Sequence, residues 1–383
     1  MTTTAAPIPM RDLGGQYRTI KHEMDAAIHA VLDRGEFERG DELWELERQL
    51  AEACGVTRVV AVGSGLAAIF VLLRALGIGP GHEVITAPNT DIATCSAISH
   101  TGARLKWADV RLETHNLDPE RVAAAIGPRT RAIVAVHLYG LPAEMDALRG
   151  LACADNLAIV EDAALAFGAR IGNRPVGALG DGAAFSLAPS KVLGAYGDGG
   201  FIAIDDESLA ARARLLAGYG EPYRNAMTGP DGRLRLEAEG YHSHLDLLQA
   251  AVLRVKLRHL PEWTRRRQRI AALYEREFAG SGVVTPLVPS GVTHAFRNYV
   301  VRVEERDQVR AALADRGITT ALLYTPPLHL QPVYKHLERG PGAFPVAERL
   351  ARELLCLPIY PELTDDDVRR VARELRRAVK ATR

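Results

Sequence analysis

The stretch FSLAPSKVLGAYGDGG, residues 185–200, decides the fold of this chain. An apolar segment typical of a strand runs into a turn of small residues, Lys191 closes that turn, and a glycine-rich return follows. A lysine held at such a turn is typical of an amine that forms a Schiff base with an aldehyde cofactor. A lysine after a strand is more often a solvated surface charge, and this segment alone favours that interpretation. Two other segments reverse the judgement.

The run LAIVED, residues 157–162, predicts a buried strand that ends in two acids. Because ligands of open α/β sheets lie beyond the carboxyl ends of the strands, Asp162 is placed to meet one. A carboxylate there can keep the pyridine nitrogen of pyridoxal 5'-phosphate (PLP) protonated, so that the ring accepts electrons from a substrate carbon. Taken alone, Asp162 favours an ordinary helix N-cap. Paired with Lys191, it favours the cofactor.

A third segment, Gly63-Ser64-Gly65, joins a predicted strand to an apolar run typical of a helix. Glycines let backbone N–H groups approach a phosphate, and a helix N-terminus favours the negative charge of that phosphate. Ser64 can donate a hydroxyl hydrogen bond, and Ser186, in the strand before Lys191, can donate another. A Gly-Ser-Gly turn by itself is often only a tight connection between a strand and a helix.

Together these segments resemble the DegT/DnrJ/EryC1/StrS family of PLP-dependent sugar aminotransferases, which have fold type I. The resemblance covers roughly residues 8–370, and it is carried by GIGPGHEVIT (77–86), VHLYGLPAEMD (136–146), VEDAA (160–164), GAYGDGG (194–200) and LQAAVLRVKL (248–257). It implies that Lys191 forms the Schiff base, that Asp162 pairs with the ring nitrogen, and that Gly65 and Ser186 hold the phosphate. It also implies a homodimer whose active sites are shared between subunits.

The chain departs from the family pattern at four positions of the expected cofactor site. Leu66 stands where threonine is usual and Leu165 where glutamine is common, so a hydroxyl and an amide that contact the cofactor are lost. Asp91 stands where an aromatic ring often covers the cofactor. His242 lies in a segment that, by the family resemblance, contacts the cofactor phosphate of the neighbouring subunit. Because the charge of histidine depends on pH, we expect phosphate affinity to depend on pH.

Two residues are expected to contact the substrate. Tyr139 follows a predicted strand at the ligand end of the sheet, and His329 lies in a C-terminal loop that in the family approaches the site. His137, close to Tyr139, either lines the site or is a hydrogen-bonded core residue.

The resemblance implies transfer of an amino group from L-glutamate or L-glutamine to a keto-sugar carried on a nucleotide, in amino-sugar or natural-product biosynthesis. Two alternatives stay open. A PLP enzyme of the same fold with altered, non-transaminating chemistry would explain the departures in the cofactor site. A non-catalytic binding or regulatory descendant would also explain them, although Lys191 and Asp162 then have no evident structural need.

Apolar patterns predict an α/β fold with a mostly parallel, doubly wound sheet, as fold type I requires. The predicted strands are 58–62, 83–87, 104–110, 131–137, 157–161, 182–187 and 200–204, after helices at 16–34 and 42–53. No helical pattern separates the last two strands, which indicates a locally antiparallel edge.

A long helical stretch at 245–278, broken near Pro261, leads into a smaller α+β C-terminal domain. The predicted division is a large PLP-binding domain, residues 1–245, and a small domain, residues 246–383. The elements predicted in the small domain are strands at 298–303 and 318–323 and helices at 307–316, 346–355 and 365–380.

Composition narrows the class of protein. The 47 basic and 47 acidic residues give a net charge of zero, which offers no support for binding nucleic acid or a membrane surface. The four cysteines show no disulfide or metal-ligand spacing, so we expect a reduced, cytoplasmic protein without a metal site. No signal peptide is evident, and no apolar run approaches the roughly 20 residues of a membrane helix.

Overall fold

The computed structural model describes residues 6–38, 40–220 and 236–382. The α-helices are α1 (Leu13–Thr19), α2 (Lys21–Arg34), α3 (Asp41–Cys54), α4 (Gly65–Ala75), α5 (Ile92–His100), α6 (Pro119–Ala125), α7 (Met145–Asp155), α8 (Glu207–Ala217), α9 (Leu247–Phe278), α10 (Arg306–Ala314), α11 (Pro345–Glu353) and α12 (Asp365–Ala381). Short 3-10 helices span Leu138–Gly140, Leu328–Leu330 and Pro332–Leu337.

The strands are β1 (Arg58–Val62), β2 (Glu83–Thr86), β3 (Arg104–Trp107), β4 (Thr130–Val136), β5 (Ala158–Asp162), β6 (Arg170–Ile171), β7 (Arg174–Pro175), β8 (Gly182–Ser186), β9 (Gly200–Ile204), β10 (Val292–Thr293), β11 (Tyr299–Arg302) and β12 (Leu354–Leu357). Seven of them form the central sheet, in the order β1-β9-β8-β5-β4-β2-β3. Helices α3, α4, α5, α7 and α8 pack directly against it. Its middle strands are continuous apolar runs because both of their faces are buried.

The prediction of a locally antiparallel edge is confirmed. The β2, β3, β4, β5 and β8 strands are parallel to one another, and β9 is antiparallel to β8. The outermost strand at this edge is β1, which is antiparallel to β9 and pairs with it from Arg58↔Ile204 to Val62↔Gly200. This pairing brings the end of β1, which precedes Gly63, beside the glycines that follow Lys191.

A second hydrophobic core surrounds the antiparallel pair β11 and β12. Helices α10 and α12 and the second half of α9 supply most of its remaining side chains. Ile8, near the N-terminus, also belongs to this core and pairs in parallel with Ile318. The N-terminal segment therefore contributes to both parts of the chain, while a domain division at residue 245 stays a prediction.

Three predicted elements of the C-terminal half need correction. α9 is unbroken, with Pro261 inside it, because packing against α2, α3 and α12 compensates for the backbone hydrogen bond that proline removes. The strand predicted at 318–323 is only a pair of isolated bridges, at Ile318 and Ala321. The helix predicted at 346–355 ends at Glu353 because the apolar residues that follow form β12.

None of the helices in the described ranges combines the length and apolarity that crossing a membrane requires.

Candidate active site

Hydrogen bonds fix the loop that carries Lys191. Its backbone N–H donates to the carbonyl of Ala188 over 2.9 Å, just beyond β8. Farther along the loop, the amine of Lys256, a buried residue of α9, donates to the carbonyl of Gly194 over 2.7 Å. The long helix therefore holds the return of the loop, and Lys191 lies at the carboxyl end of the central sheet.

The surroundings of the Lys191 amine favour its neutral form. Burial lowers the pKa of this amine, and the positive charge of Arg297 lowers it further, while Asp162 and Asp91 act in the opposite direction. A neutral amine is the form that attacks a carbonyl carbon or takes a proton. The environment therefore suits a lysine that acts as nucleophile and base.

Asp162 is the last residue of β5, and its carboxylate is oriented before any ligand is bound. Its Oδ2 accepts a 2.6 Å hydrogen bond from the hydroxyl of Thr94, and its Oδ1 accepts a 3.2 Å bond from the N–H of Ala164. The side chain is buried, and burial raises the pKa of the carboxyl group. No basic side chain in the described ranges forms an ion pair with it. A buried, oriented carboxylate without a cation fits a protonated ring nitrogen such as that of PLP.

The N-terminus of α4 offers an anion site beside the end of β8. The first N–H groups of a helix have no acceptor within the helix, and Ser64 caps this one by accepting from the N–H of Ala67 over 3.1 Å. A Cβ atom on Gly65 would lie only 2.6 Å from Cβ of Ser186, so glycine is needed for this approach. The N–H of Gly63 is already bonded, at 3.1 Å, to the hydroxyl of Ser243. The remaining N–H groups and the Ser186 hydroxyl fit a phosphate.

The residues that depart from the family pattern differ in how far they are buried. Leu66 is partly buried and packs against the main core, and Leu165 is buried. Asp91 is exposed, and its Oδ1 accepts a 3.0 Å hydrogen bond from the N–H of Ala93, so that it caps α5. Its negative charge nevertheless raises the pKa of Lys191. Asp91 thus combines a capping role with a charge at the site.

His242 lies next to the expected phosphate site through its neighbour in the chain rather than through its own ring. Ser243, not His242, contacts the backbone of Gly63. The His242 ring is exposed and stacks on Tyr219, with 5.0 Å between ring centroids. A phosphate contact from His242 to a second subunit stays a prediction.

The two residues expected at the substrate have other partners. The Tyr139 hydroxyl donates a 2.5 Å hydrogen bond to the carbonyl of Leu323, and its ring is buried. His329 is buried, its Nε2 lies 3.1 Å from Oε1 of Glu348, and its ring packs against Trp107. These contacts favour roles in joining the C-terminal segment to the sheet, and substrate contact by either residue stays a prediction.

His137 is a core residue. Its Nδ1 accepts from the N–H of Ala143 over 3.0 Å, so its Nε2 carries the hydrogen and donates to Glu161 over 2.9 Å. The Glu161 carboxylate, fully buried, also accepts from three backbone N–H groups that follow β7. This network braces the strand that ends in Asp162.

The structure adds three residues that the sequence reasoning did not identify. Thr94, in α5, orients Asp162. The Tyr324 ring is nearly parallel to that of Tyr139, with 6.4 Å between ring centroids and 8° between ring planes. Burial raises the pKa of the Tyr324 hydroxyl, and the negative charges of Asp91 and Asp162 raise it further. Arg297 is buried and lowers the pKa of Lys191. No local motif marks them, because each reaches the site from a distant segment.

Comparison with known proteins gives a consistent result. The model of the DegT/DnrJ/EryC1/StrS aminotransferase family matches residues 18–376. The chain is 43% identical, over 365 residues, to dTDP-3-amino-3,4,6-trideoxy-alpha-D-glucose transaminase of Streptomyces venezuelae, covering 95% of this chain and 94% of that protein. It is 39% identical, over 374 residues, to a protein of Geobacillus stearothermophilus named pleiotropic regulatory protein, covering 96% and 97%.

A solved structure has the same fold over almost its whole length. The crystal structure of S. venezuelae DesV in complex with a ketimine intermediate superposes with a TM-score of 0.93 and 42% sequence identity. The superposition covers 97% of this chain and 98% of that one.

Proposed function

The chain belongs to the DegT/DnrJ/EryC1/StrS aminotransferase family, and from this premise we propose that it transfers an amino group from L-glutamate or L-glutamine to a keto-sugar carried on a nucleotide. It is a PLP-dependent aminotransferase of fold type I. The observation that carries the proposal is the presence, at one edge of the sheet, of an amine whose pKa is lowered and of a buried carboxylate that forms no ion pair with a basic side chain of the described residues. Such enzymes act in amino-sugar or natural-product biosynthesis.

PLP, when bound, supplies an aldehyde that condenses with amines and a ring that accepts the electrons of a substrate C–H bond. Asp162 would hold the ring nitrogen in its protonated form. Gly65, Ser186 and the N-terminus of α4 would hold the phosphate. The unprotonated Nζ of Lys191 would take the proton from the α-carbon of the donor and would give it to the cofactor carbon C4′.

The retention of this pair favours catalysis over the alternatives. A binding or regulatory descendant has no need for a lysine amine with a lowered pKa and an oriented carboxylate at the same edge of the sheet. A PLP enzyme with altered chemistry would keep both groups, so the donor half-reaction decides between that alternative and transamination.

The test is an absorption spectrum of the PLP-loaded protein before and after L-glutamate or L-glutamine is added. Conversion of the Schiff-base band to the pyridoxamine band with either amino acid is the expected result. Adding a nucleotide-linked keto-sugar should then restore the first band. A Schiff-base band that neither donor changes would overturn the transaminase proposal in favour of altered PLP chemistry, and the absence of any band would favour a binding protein.

We further infer that the enzyme is a homodimer with shared active sites and works in the cytoplasm. The exposed rings of Tyr219 and His242, beside the segment that contacts Gly63, are available to a second copy. The described cysteines are all free, as a reducing compartment favours. Sedimentation at graded dilution, followed with PLP retention, tests the dimer. A monomer that retains PLP as tightly as the dimer would contradict shared sites.

A further inference from the structure

A buried guanidinium group, that of Arg297, acts electrostatically on the Lys191 amine and has no acidic partner among the described residues. Arg297 is 5% exposed, and its Nε is buried with no hydrogen-bond partner among the described residues. No carboxylate in the ranges 6–38, 40–220 and 236–382 forms an ion pair with it. A buried charge without a counter-ion is strongly unfavourable, and proteins keep one where a ligand supplies the opposite charge.

Backbone hydrogen bonds place Arg297 at the same sheet edge as Asp162. The N–H of His137, just after β4, donates to the carbonyl of Asp162 over 3.0 Å. Three residues farther along, the carbonyl of Gly140 accepts from the N–H of Ala295 over 2.9 Å. A Cβ on Gly140 would lie 3.1 Å from the backbone nitrogen of Arg297, and glycine at φ 102° permits this close approach. The arginine is thus held on the turn that follows β4, the strand beside β5.

The surroundings of Arg297 are positive. Its pKa falls to about 9, first through burial and then through the charges of Arg11 and Arg267. Arg267 also contacts the residue before Arg297. Its guanidinium donates to the carbonyl of Phe296 over 3.4 Å and to that of Ile359 over 2.7 Å. Among the main influences on its pKa, the two that raise it come from Tyr324 and Cys356, and neither is a carboxylate. An anion is therefore the ligand that this part of the site favours.

We propose that Arg297 binds the α-carboxylate of the amino donor, an inference that rests on the proposed function. The amine of the donor must reach the PLP aldehyde carbon to which the Lys191 amine would be bound. The α-carbon that bears this amine also bears the carboxylate, so the carboxylate must lie near Lys191, where the charge of Arg297 favours an anion. The planar guanidinium presents two parallel N–H donors that match the two oxygens of a carboxylate.

The assignment predicts selectivity for α-amino acids. L-glutamate and 4-aminobutyrate differ only in the α-carboxylate, so their ratio of donor half-reaction rates measures what Arg297 contributes. A hydrogen-bonded charge pair corresponds to roughly 10- to 150-fold in such a ratio.

The experiment compares the PLP-loaded wild type with Arg297→Met and Arg297→Lys by rapid mixing with each donor. The preference for L-glutamate over 4-aminobutyrate should fall roughly 10- to 150-fold in Arg297→Met. It should fall less in Arg297→Lys, which keeps the positive charge but lacks the two parallel N–H donors of the guanidinium. The matched control is Arg129→Met, because Arg129 precedes β4 at the opposite end of the sheet and pairs with Glu83. An unchanged preference in Arg297→Met would overturn the proposal.

Binding of a non-reacting probe gives a readout that does not need turnover. Glutarate, a dicarboxylate without an amine, should bind the wild-type holoenzyme and the Arg129→Met control in calorimetric titration and should bind Arg297→Met at least about tenfold more weakly. Equal glutarate affinity in all three proteins would overturn the proposal. The ellipticity and PLP content of each variant establish that it is folded and loaded.

The outcomes separate this inference from the proposed function. If the wild type fails to react with any donor, the aminotransferase proposal fails. If the wild type reacts, and Arg297→Met keeps the donor half-reaction but loses reaction with an acidic keto-sugar, the carboxylate belongs to the acceptor and the donor assignment is wrong.

Discussion

The hydroxyl of Thr94 lies 2.6 Å from Oδ2 of Asp162 and donates its hydrogen to it. The oxygen of Thr94 in turn lies 2.8 Å from the hydroxyl of Thr90, and all three side chains are buried. Two separate elements, β5 and α5, therefore orient the carboxylate. Orientation before binding is the condition under which a charge stabilises a transition state without reorganising.

The first prediction concerns that carboxylate. Asp162→Asn keeps the shape of the side chain but removes the charge, and we expect kcat of the holoenzyme to fall by roughly 100- to 1,000-fold. Thr94→Val removes one hydrogen bond to the charge and should cost about tenfold. Steady-state rates and the position of the Schiff-base absorption band check both. Equal activity of Asp162→Asn and the wild type would contradict the role of Asp162.

Loss of the lysine amine should be the most damaging change. In Lys191→Ala the nucleophile and base are both absent, so we expect turnover to fall at least about 10²- to 10⁴-fold and the Schiff-base band to disappear. Lys191→Arg places a guanidinium at this position and should be equally inactive, because a guanidinium stays protonated and cannot act as nucleophile or base. Substantial turnover in either variant would show that another group acts as the base.

Gly65 allows a test of the phosphate site. In Gly65→Ala the new Cβ would lie 2.6 Å from Cβ of Ser186, so one of the two segments must move. We expect PLP affinity to fall at least about tenfold and stability to fall by about 1–3 kcal/mol. Titration of the apoprotein with PLP measures the first effect, and thermal unfolding measures the second.

Gly150 is the matched control for that substitution. It lies inside α7, and a Cβ there would meet no atom within 4 Å. Gly150→Ala should therefore leave PLP affinity unchanged and add about 0.5–1 kcal/mol of stability, since glycine is unfavourable inside a helix. If both alanine variants lose PLP equally, the cause is not the contact with Ser186.

Stability should depend on pH through Lys256. Burial lowers the pKa of this amine from 10.5 to about 8 in the folded chain. Between these two pH values the unfolded chain binds a proton that the folded chain does not, so the free energy of unfolding should rise as pH increases from about 8 to about 10.5. The hydrogen bond to Gly194 and the Tyr196 ring, 4.2 Å from Nζ, favour the charged form and keep the effect to about 1–3 kcal/mol.

Urea unfolding at several pH values measures this dependence. Lys256→Met should lose the rise above pH 8 and should also lower kcat, because the return of the Lys191 loop loses the hydrogen bond that holds it. An identical pH profile in the variant and the wild type would assign the dependence to other groups.

The sequence predicted the central sheet well because its strands are strong local signals. Most of the strands contain a short apolar run bounded by turn residues, and all seven occur within a few residues of their predicted bounds. The outermost place of β1 and the uninterrupted α9 have a different origin. Neither the position of β1 outside β9 nor the packing around Pro261 can be found from a local pattern.

The site was predictable in part for the same reason. Lys191, Asp162 and Gly65 each lie at or just beyond the end of a strand and carry a local signature. Thr94, Tyr324 and Arg297 reach the same edge of the sheet through long-range contacts, and His137 could be assigned to the core only once its two hydrogen bonds were seen. A pattern along the chain cannot show which distant segment fills the space beside a strand end.

Helix α9 has a consequence for how this enzyme can move. Lys256 ties the helix to the Lys191 loop, and Arg267, eleven residues later and about 16 Å farther along the axis, ties it to the segment before Arg297. The helix has no break between these two ties. It therefore holds the Lys191 loop and the segment before Arg297 at a constant separation, so any movement of one of them along the helix axis must carry the other with it.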